Sequence, residues 1–344
     1  MEDRIQDFVI TFTSILWEAF PFVVLGAIAA GILEEMVPQQ FVAKLVPRNT
    51  VIAVGLGGLL GLVFPMCECG IVPVMRRLLR KGLPLGTCIA YMLAGPIINL
   101  VVITSTAVAF YPHTFGPNQE SIGPYMVSIR VGMGFVVALI TGLIVERLYR
   151  KYGNDLLSPL AAPQKATSLE VIATPDVHPA ENRAGEKRGF FQRLANISET
   201  SLHDFVDIMV FLILGATLAA LVKEVLSPKD ISNLANTVPI LAILAMMGLA
   251  ILLCLCSEAD AFVAASFTTL PLAPKIAFLV LGPMFDLKLL LMFTRVFKRR
   301  LIVTIIISVV VQVLIYSLIL HYVWTAFVES RTPFSPPPVT SAQG

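Results

Sequence analysis

The sequence carries little charge for its length, and this shortage excludes most soluble classes of protein. Only 14% of its 344 residues are Asp, Glu, Lys or Arg, whereas 56% are hydrophobic and the mean hydropathy is +0.82. A typical soluble domain has about 25% charged and about 45–50% apolar residues. The apolar residues also form repeated, weakly charged runs of roughly 18 residues or more, as membrane-spanning helices require. We therefore predict an all-α polytopic protein of the inner, cytoplasmic membrane, surrounded by the lipid bilayer.

Other functional signals are also missing. The net charge of +2 comes without a basic patch and interleaved aromatic residues, so nothing indicates nucleic-acid binding. The chain lacks the Gly-x-x-x-x-Gly-Lys-Ser/Thr motif of a built-in ATPase. The acidic N-terminus has no small-residue cleavage site, so we expect the first helix to act as its own membrane signal. We predict no cofactor, no resident metal and no enzymatic activity.

The chain has only five cysteines, but four of them form two Cys-x-Cys motifs that recur in one register. Cys254 and Cys256 follow Cys67 and Cys69 at the same separation of 187 positions. The same offset aligns further residues without a gap: Pro84 with Pro271, Gly95-Pro96 with Gly282-Pro283, and Asn99 with Asp286. We interpret this repetition as an internal duplication.

The duplication divides the chain into two halves of four crossings each. Residues 1–150 form the first transmembrane repeat, 151–200 a flexible cytoplasmic linker, 201–328 the second repeat and 329–344 a disordered tail. The eight predicted crossings cover about 8–33, 51–80, 83–110, 125–145, 203–226, 238–256, 272–294 and 301–327. Four of these helices are discontinuous, with breaks predicted at Pro65–Gly70, Gly95-Pro96, Cys256–Glu258 and Gly282-Pro283. His203 and Asp204 would lie at the start of the fifth crossing.

The Lys and Arg residues predict the orientation of the crossings. Loops rich in Lys and Arg stay on the cytoplasmic side, which places both chain ends, the linker and the turn containing Arg76–Lys81 inside. With parallel repeats, however, Arg295 and Lys298–Arg300 fall on the outer side. Inverted repeats would remove this conflict but need one more crossing in the linker, which has no apolar segment. Parallel repeats are favoured, and the inverted alternative stays open.

The helix breaks are the predicted substrate site. Free backbone N–H and C=O groups are costly inside a membrane unless they are buried in protein or line a cavity. Discontinuous helices at matching positions of two halves indicate the binding site of a transporter, although a proline kink can also serve packing alone. The predicted substrate-binding residues are Cys67, Glu68, Cys69, Gly70, Gly95, Pro96, Asn99, Cys254, Cys256, Ser257, Gly282, Pro283 and Asp286.

Thiolates are soft ligands that suit soft metal ions and trivalent arsenic. Two cysteines in a Cys-x-Cys motif point apart on a regular helix and to one side in extended backbone, so a shared site requires local unwinding. If the two breaks meet, up to four sulfurs converge.

Acidic residues near the breaks are candidates for proton or ion coupling. These are Glu68, Glu258, Asp260 and Asp286. Glu258 and Asp260 can alternatively be solvated residues near a membrane interface. An ion pair between Asp286 and Lys288 is disfavoured, because residues two apart on a helix point in nearly opposite directions.

Four segments of the chain form a recognisable set: P-M-C-E-C-G-I-V-P-V from Pro65, R-R-L-L-R-K-G-L-P-L from Arg76, L-A-G-P-I-I-N-L from Leu93 and C-S-E-A-D-A-F-V-A-A-S-F from Cys256. They resemble the predicted permease family that includes the ArsP organoarsenical efflux permeases, and the last segment resembles particularly its YraQ/YcgR-like branch. The resemblance covers about 10–148 and 203–327. For ArsP members it implies export of trivalent organoarsenicals handled by membrane cysteines. Glu68 stands where a small residue such as serine is expected, and a carboxylate beside the thiols favours a cation instead.

These features favour an ion-gradient-driven efflux permease for a soft, thiophilic solute such as a trivalent organoarsenical. Two alternatives are a metal-ion transporter and a membrane subunit of a larger complex that docks through the linker. A membrane thiol-redox enzyme is a further alternative, although the usual Cys-x-x-Cys spacing is missing. Whether the chain forms a homo-oligomer or binds a partner subunit stays open.

Overall fold

The computed structural model describes residues 2–36, 47, 49–64, 66–115, 120–158, 190–225, 239–268 and 270–331. Within these residues the chain is almost entirely α-helical, apart from one short antiparallel pairing of Thr114–Phe115 with Glu120–Ser121. The helices are, in chain order, α1 (Glu2–Met36), α2 (Thr50–Val63), α3 (Glu68–Arg80), α4 (Leu85–Ala94), α5 (Leu100–Phe110), α6 (Gly123–Tyr152), α7 (Phe190–Val225), α8 (Pro239–Leu253), α9 (Asp260–Ser266), α10 (Leu272–Met284), α11 (Leu287–Val296) and α12 (Arg299–Arg331). The predicted all-helical class is confirmed.

Among the residues that the structure describes, five segments are long and apolar enough to cross a membrane by length and composition. They are Phe8–Leu33, Gly123–Tyr152, Ala195–Thr217, Leu272–Val296 and Arg299–Phe327. Four shorter apolar helices accompany them, namely α2, α4, α5 and α8. The chain therefore has the helices of a multi-pass membrane protein, while the predicted count of eight crossings stays a prediction.

Non-helical backbone interrupts the chain between α2 and α3, α4 and α5, α8 and α9, and α10 and α11. The last of these breaks lies a few residues beyond its predicted position. Gly282 and Pro283 belong to the last turn of α10, and extended backbone begins at Phe285 (φ −155°, ψ 111°). A proline in a last turn removes only one of the final helical hydrogen bonds, so the helix continues to Met284 before Asp286 starts the next helix.

Two pairs of helices that the predicted duplication would align, α1 with α7 and α6 with α12, pack antiparallel, in contrast to the parallel arrangement favoured from the sequence. Toward the end of α1, Gly31 packs against Ile197 and Ser201 near the start of α7. The Phe20 ring, earlier in α1, lies 5.9 Å from the ring of Phe205, later in α7. Helices α6 and α12 also run antiparallel. The Thr141 and Ser308 hydroxyls are 2.9 Å apart, while Tyr125 contacts Trp324.

The basic segments that the sequence analysis assigned to opposite sides lie at one end of the molecule. Arg76 of α3 and Arg295 of α11 line the same cavity of about 40 Å³, together with Asp204. The Arg300 guanidinium lies 4.6 Å from the centre of the Tyr152 ring at the end of α6. The expectation that Arg295 and Lys298–Arg300 face the side opposite to Arg76 is therefore wrong. We call this end of the molecule the basic end.

The structure also changes the predicted surroundings of Asp204. The helix that contains it, α7, begins at Phe190, so His203 and Asp204 lie within the helix rather than at its start. The Asp204 carboxylate is buried and forms ion pairs with Arg76 and Arg77 of α3. The ion pairs of the Asp204 carboxylate thus connect α7 to α3.

The predicted linker contains helical residues at both of its borders. Helix α6 extends to Tyr152, a 3-10 turn covers Gly153–Leu156, and α7 occupies the predicted linker from Phe190 onward. Leu157 pairs with Phe297 through an isolated β-bridge, which attaches this border to the basic end. Residues 159–189 of the linker and 332–344 of the tail lie outside the described residues, and their assignments stay predictions.

Candidate functional site

The breaks after α2 and α8 meet inside the protein. One ligand atom each from Cys67, Glu68 and Cys256 lies within 4.8 Å of the others, and all three residues are buried. Cys67 precedes α3 with extended backbone and Glu68 is the first residue of that helix, while Cys256 belongs to the break between α8 and α9. Residues 189 positions apart therefore share one site.

The four predicted sulfurs do not all occupy this site. The Cys67 and Cys256 sulfurs lie within 4.8 Å of each other, and Cys69 is a buried residue two positions after Cys67 in the chain. The Cys254 thiol instead donates to the Ile251 carbonyl at 3.5 Å. Cys254 has a φ of 47°, in the left-handed region that non-glycine residues seldom adopt. We call Cys67, Glu68, Cys69 and Cys256 the thiol–carboxylate cluster.

A lysine of the second half pairs with the carboxylate of this cluster. The Lys288 Nζ lies 2.8 Å from Oε1 of Glu68 and 3.5 Å from Oδ2 of Asp286. All three side chains are almost completely buried. A buried charge requires such partners, because losing its hydration is costly. The second Glu68 oxygen, Oε2, has no hydrogen-bond partner among the residues that the structure describes.

The contact between Lys288 and Asp286 corrects the sequence expectation that these neighbours point apart. Asp286 is not helical: it is the N-cap of α11, with extended backbone (φ −133°, ψ 175°). Its Oδ1 accepts a hydrogen bond from the Leu289 N–H at 2.6 Å. The rule for residues two apart on a helix does not apply to a cap, so Oδ2 remains available to the long lysine side chain.

A second buried ion pair, which the sequence reasoning missed, joins α6 to the break after α8. Arg130 is 1% exposed and donates to both carboxylate oxygens of Asp260, at 2.9 and 2.8 Å, and to the Ser257 carbonyl at 3.1 Å. It also donates to the Thr106 hydroxyl at 2.7 Å. The signal was present, because an isolated arginine within an apolar crossing is costly and needs a partner. Asp260 is accordingly buried rather than solvated.

Glu258 contacts the cluster from its edge. The Cys256 thiol lies 2.8 Å from Oε2 of Glu258, whose side chain is half-buried. Glu258 is therefore placed next to the cluster and still partly accessible, unlike Glu68.

The other predicted site residues shape the breaks. Gly70 packs against α1 at Phe22 and Gly26, and a Cβ atom added to Gly26 would lie 2.5 Å from the Gly70 Cα. Gly95 is similarly contacted by Gly61 of α2. The Asn99 Oδ1 accepts the Val102 N–H at 2.8 Å and caps α5, as Asp286 caps α11. Pro96 lies in the break between α4 and α5, Ser257 follows Cys256 in the break between α8 and α9, and Gly282 and Pro283 lie in the last turn of α10.

The donor set has a defined chemical preference. Sulfur ligands select soft centres such as Zn(II), Cu(I) and similar ions, and a carboxylate oxygen is a common additional ligand for Zn(II). Two thiols and one carboxylate from separate helix breaks can therefore bind a soft cation, while the thiols alone can bind a neutral thiophilic solute.

Comparisons with known proteins agree with these features. The model of a family described as predicted permease, ArsP_1, matches residues 4–322. The UPF0718 protein YcgR of Bacillus subtilis (strain 168) is 37% identical over 309 residues, covering 90% of this chain and 95% of the relative. A Streptococcus mutans protein named as a subunit of a two-component membrane permease complex is 31% identical over 309 residues, covering 90% of this chain and 93% of the relative.

A more distant relative supports the same assignment. The UPF0718 protein YraQ of Escherichia coli (strain K12) is 21% identical over 296 residues, covering 86% of this chain and 74% of the relative. No solved structure matches the chain. With its five long apolar helices and a family match over nearly its full length, the chain is a multi-pass membrane protein that belongs to the ArsP_1 family of predicted permeases.

Proposed function

We propose that this chain is a permease of the cytoplasmic membrane that exports a soft, thiophilic solute through the thiol–carboxylate cluster. The convergence of Cys67, Glu68 and Cys256 within 4.8 Å, at the meeting point of two helix breaks, carries the proposal. Broken helices that meet inside a membrane protein are the usual location of a transporter's substrate site. The resemblance to a permease family supports a transporter rather than an enzyme.

The proposal includes an inverted-repeat architecture. Its six crossings are α1, α4–α5, α6, α7, α10–α11 and α12, whereas α2–α3 and α8–α9 are re-entrant hairpins. In support, the Thr50 hydroxyl at the start of α2 bonds Arg150 near the basic end, and α3 returns to that end at Arg76. Lys275 near the start of α10 lies over the Phe110 ring at the far end of α5. The first hairpin thus opens to the basic end and the second to the opposite end.

This architecture resolves the conflict over the repeats. A half with four crossings returns the chain to its starting side and forces parallel repeats, whereas a half with three crossings inverts the next half. Two inverted halves then need no crossing in the linker. By the positive-inside rule the basic end faces the cytoplasm, so α1 begins and α12 ends on the outer side, opposite to the sequence expectation.

The charge of the cluster favours a cation as cargo. Glu68 supplies a carboxylate beside the thiols, and its Oε2 atom has no hydrogen-bond partner within the described part of the chain. A soft divalent cation would use both donor types, whereas a neutral trivalent organoarsenical would use the thiols alone. Both are soft solutes, and the test below includes both. Glu68, Glu258, Asp260 and Asp286 stay the predicted residues for coupling export to an ion gradient.

A second candidate function is a membrane subunit of a two-component permease complex. The similarity to the Streptococcus mutans protein over 90% of this chain favours it. The two candidates differ in what transport requires: the complex needs a partner chain, whereas the stand-alone permease is active in a membrane that contains this chain alone.

Transport into everted membrane vesicles tests the proposal. We expect gradient-dependent uptake of Cd²⁺ or of a trivalent methylarsenical, and loss of that uptake in Cys67→Ser/Cys69→Ser. Cys88→Ser is the matched control, because Cys88 is equally buried but lies in α4, with its thiol near the Leu83 carbonyl. Undiminished uptake by the double variant would contradict the role of the cluster. Uptake by vesicles from cells expressing the chain with its partner, but not by reconstituted chain alone, would favour the complex.

A further inference from the structure

The position of Lys288 deepens the proposed function, on which the following inference rests. Its backbone is held in place because it packs against Gly215 of α7, where an added Cβ atom would lie 3.0 Å from the Lys288 Cβ. The side chain places Nζ between two carboxylates, one at the start of α3 and one at the N-cap of α11. The shorter contact, 2.8 Å, is to Glu68, and the longer, 3.5 Å, is to Asp286.

The Glu68 carboxylate lies close both to Lys288 and to the sulfurs of the cluster. One oxygen, Oε1, accepts from Lys288, while a Glu68 carboxylate oxygen also lies within 4.8 Å of the Cys67 and Cys256 sulfurs. A positively charged cargo at the thiols would therefore meet a carboxylate already neutralised by a lysine. Two cations that share one carboxylate repel each other, and the repulsion is strong where burial lowers the dielectric.

We propose that Lys288 is a tethered counter-cation of the empty site, which a cationic cargo displaces from Glu68 toward Asp286. Asp286 keeps its helix-capping bond through Oδ1, so Oδ2 can accept Lys288 without loss of the cap. Lys288 thus moves back to Glu68 when the cargo leaves, and it neutralises the carboxylate while the permease returns to its starting state without cargo. The inference also defines the cargo class, since a neutral thiophile has no reason to displace Lys288.

Cadmium binding by the purified full-length protein, measured by isothermal titration calorimetry, tests this role. Lys288→Gln removes the competing cation, so we expect Cd²⁺ to bind about tenfold or more tightly. Asp286→Asn keeps a good helix cap but removes the second carboxylate, so we expect Cd²⁺ to bind about tenfold more weakly. Opposite signs distinguish displacement from a structural role, which would make both variants bind more weakly.

Lys275→Gln is the matched control, because Lys275 is also largely buried but lies over the Phe110 ring of α5. It should bind Cd²⁺ like the unmodified protein. Lys288→Arg keeps the charge and should not gain affinity, which separates charge from side-chain volume. A Lys288→Gln protein that binds Cd²⁺ no more tightly, or an Asp286→Asn protein that binds it no more weakly, would overturn the counter-cation role.

The same titration separates this inference from the proposed function. If the unmodified protein binds no Cd²⁺, or binds Cd²⁺ no more tightly than the Cys67→Ser/Cys256→Ser variant does, the soft site itself is wrong. The inference about Lys288 is then wrong as well. If binding depends on both cysteines but not on Lys288, only the counter-cation role is wrong.

Discussion

Replacing Arg130 with methionine should strongly destabilise the protein, because it leaves the Asp260 carboxylate buried without a positive partner. Arg130 donates four hydrogen bonds, of which two reach Asp260, one the Ser257 carbonyl and one the Thr106 hydroxyl. Both charged residues are almost completely buried. Removing one partner of a buried pair costs about 3–5 kcal/mol, whereas an apolar pair of similar volume is often tolerated.

A double-mutant cycle separates the pair from its individual residues. Arg130→Met and Asp260→Leu should each lower the stability of the detergent-solubilised protein, measured by thermal unfolding. The double variant should lose less than the sum of the two, with a coupling energy at the upper end of about 0.5–3 kcal/mol. The double variant contains no unpaired buried charge, and this is the physical reason for its recovery.

Arg150→Met is the matched control for this cycle. Arg150 belongs to the same helix, but its side chain is 64% exposed and lies 3.7 Å from the Glu146 carboxylate. Because the Arg150 side of this pair is exposed to solvent, we expect the pair to contribute about 0–1 kcal/mol. Equal losses for Arg130→Met and Arg150→Met, or strictly additive losses in the cycle, would refute the reasoning that the Arg130–Asp260 pair is a buried connection between α6 and the α8–α9 break.

Three further predictions follow from the packing and the proposed architecture. Gly26→Ala places a methyl group 2.5 Å from a backbone atom of α3 and should lower the unfolding temperature, because overpacking costs about 1–3 kcal/mol. Gly55→Ala is the control and should leave the unfolding temperature unchanged, because its methyl group would meet no atom closer than 3.9 Å. Equal shifts in the two variants would argue against the close α1–α3 contact. A cysteine introduced at Asp155 should react with a membrane-impermeant maleimide only from the cytoplasmic side, and one at Tyr111 only from outside. The native cysteines are buried, so we expect them to add little background labelling. Labelling of both introduced cysteines from one side would contradict the six-crossing arrangement. Deleting 160–189 should preserve vesicle transport by a stand-alone permease, whereas loss of transport with normal expression would favour docking through the linker.

The helix breaks could be predicted from the sequence because they are local features. A duplicated Cys-x-Cys motif beside a proline and a glycine indicates where backbone leaves the helix, and α3 does begin at Glu68. The position of the last break was less predictable. Pro283 disfavours a helix without ending it at once, and α10 continues to Met284.

The direction of the second half could not be read from composition or periodicity. A hydrophobic helix of 14 residues, such as α2, has the same pattern whether it completes a crossing or turns back. The distinction depends on which helices surround it, here the contacts that bring Thr50 to Arg150 and Arg76 to the basic end.

The partners in the buried ion pairs could not be predicted from the sequence either, because they depend on which helices pack together. Lys288 and Glu68 are 220 positions apart, and no spacing rule connects residues of different helices. A buried charge predicts that a partner exists, but only the packing of α3 against α11 identifies that partner. Arg130 could have been flagged as functional or paired, while its pairing with Asp260 required the structure.

Cadmium K-edge X-ray absorption on the Cd²⁺-loaded protein tests the shared site of the two helix breaks most directly. The cluster predicts sulfur neighbours in the first coordination shell, with one sulfur lost in Cys67→Ser and one in Cys256→Ser, and none lost in Cys254→Ser or Cys88→Ser. Loss of a sulfur in only one of the first two variants, or an equal loss in Cys254→Ser, would contradict a site built jointly by the α2–α3 and α8–α9 breaks.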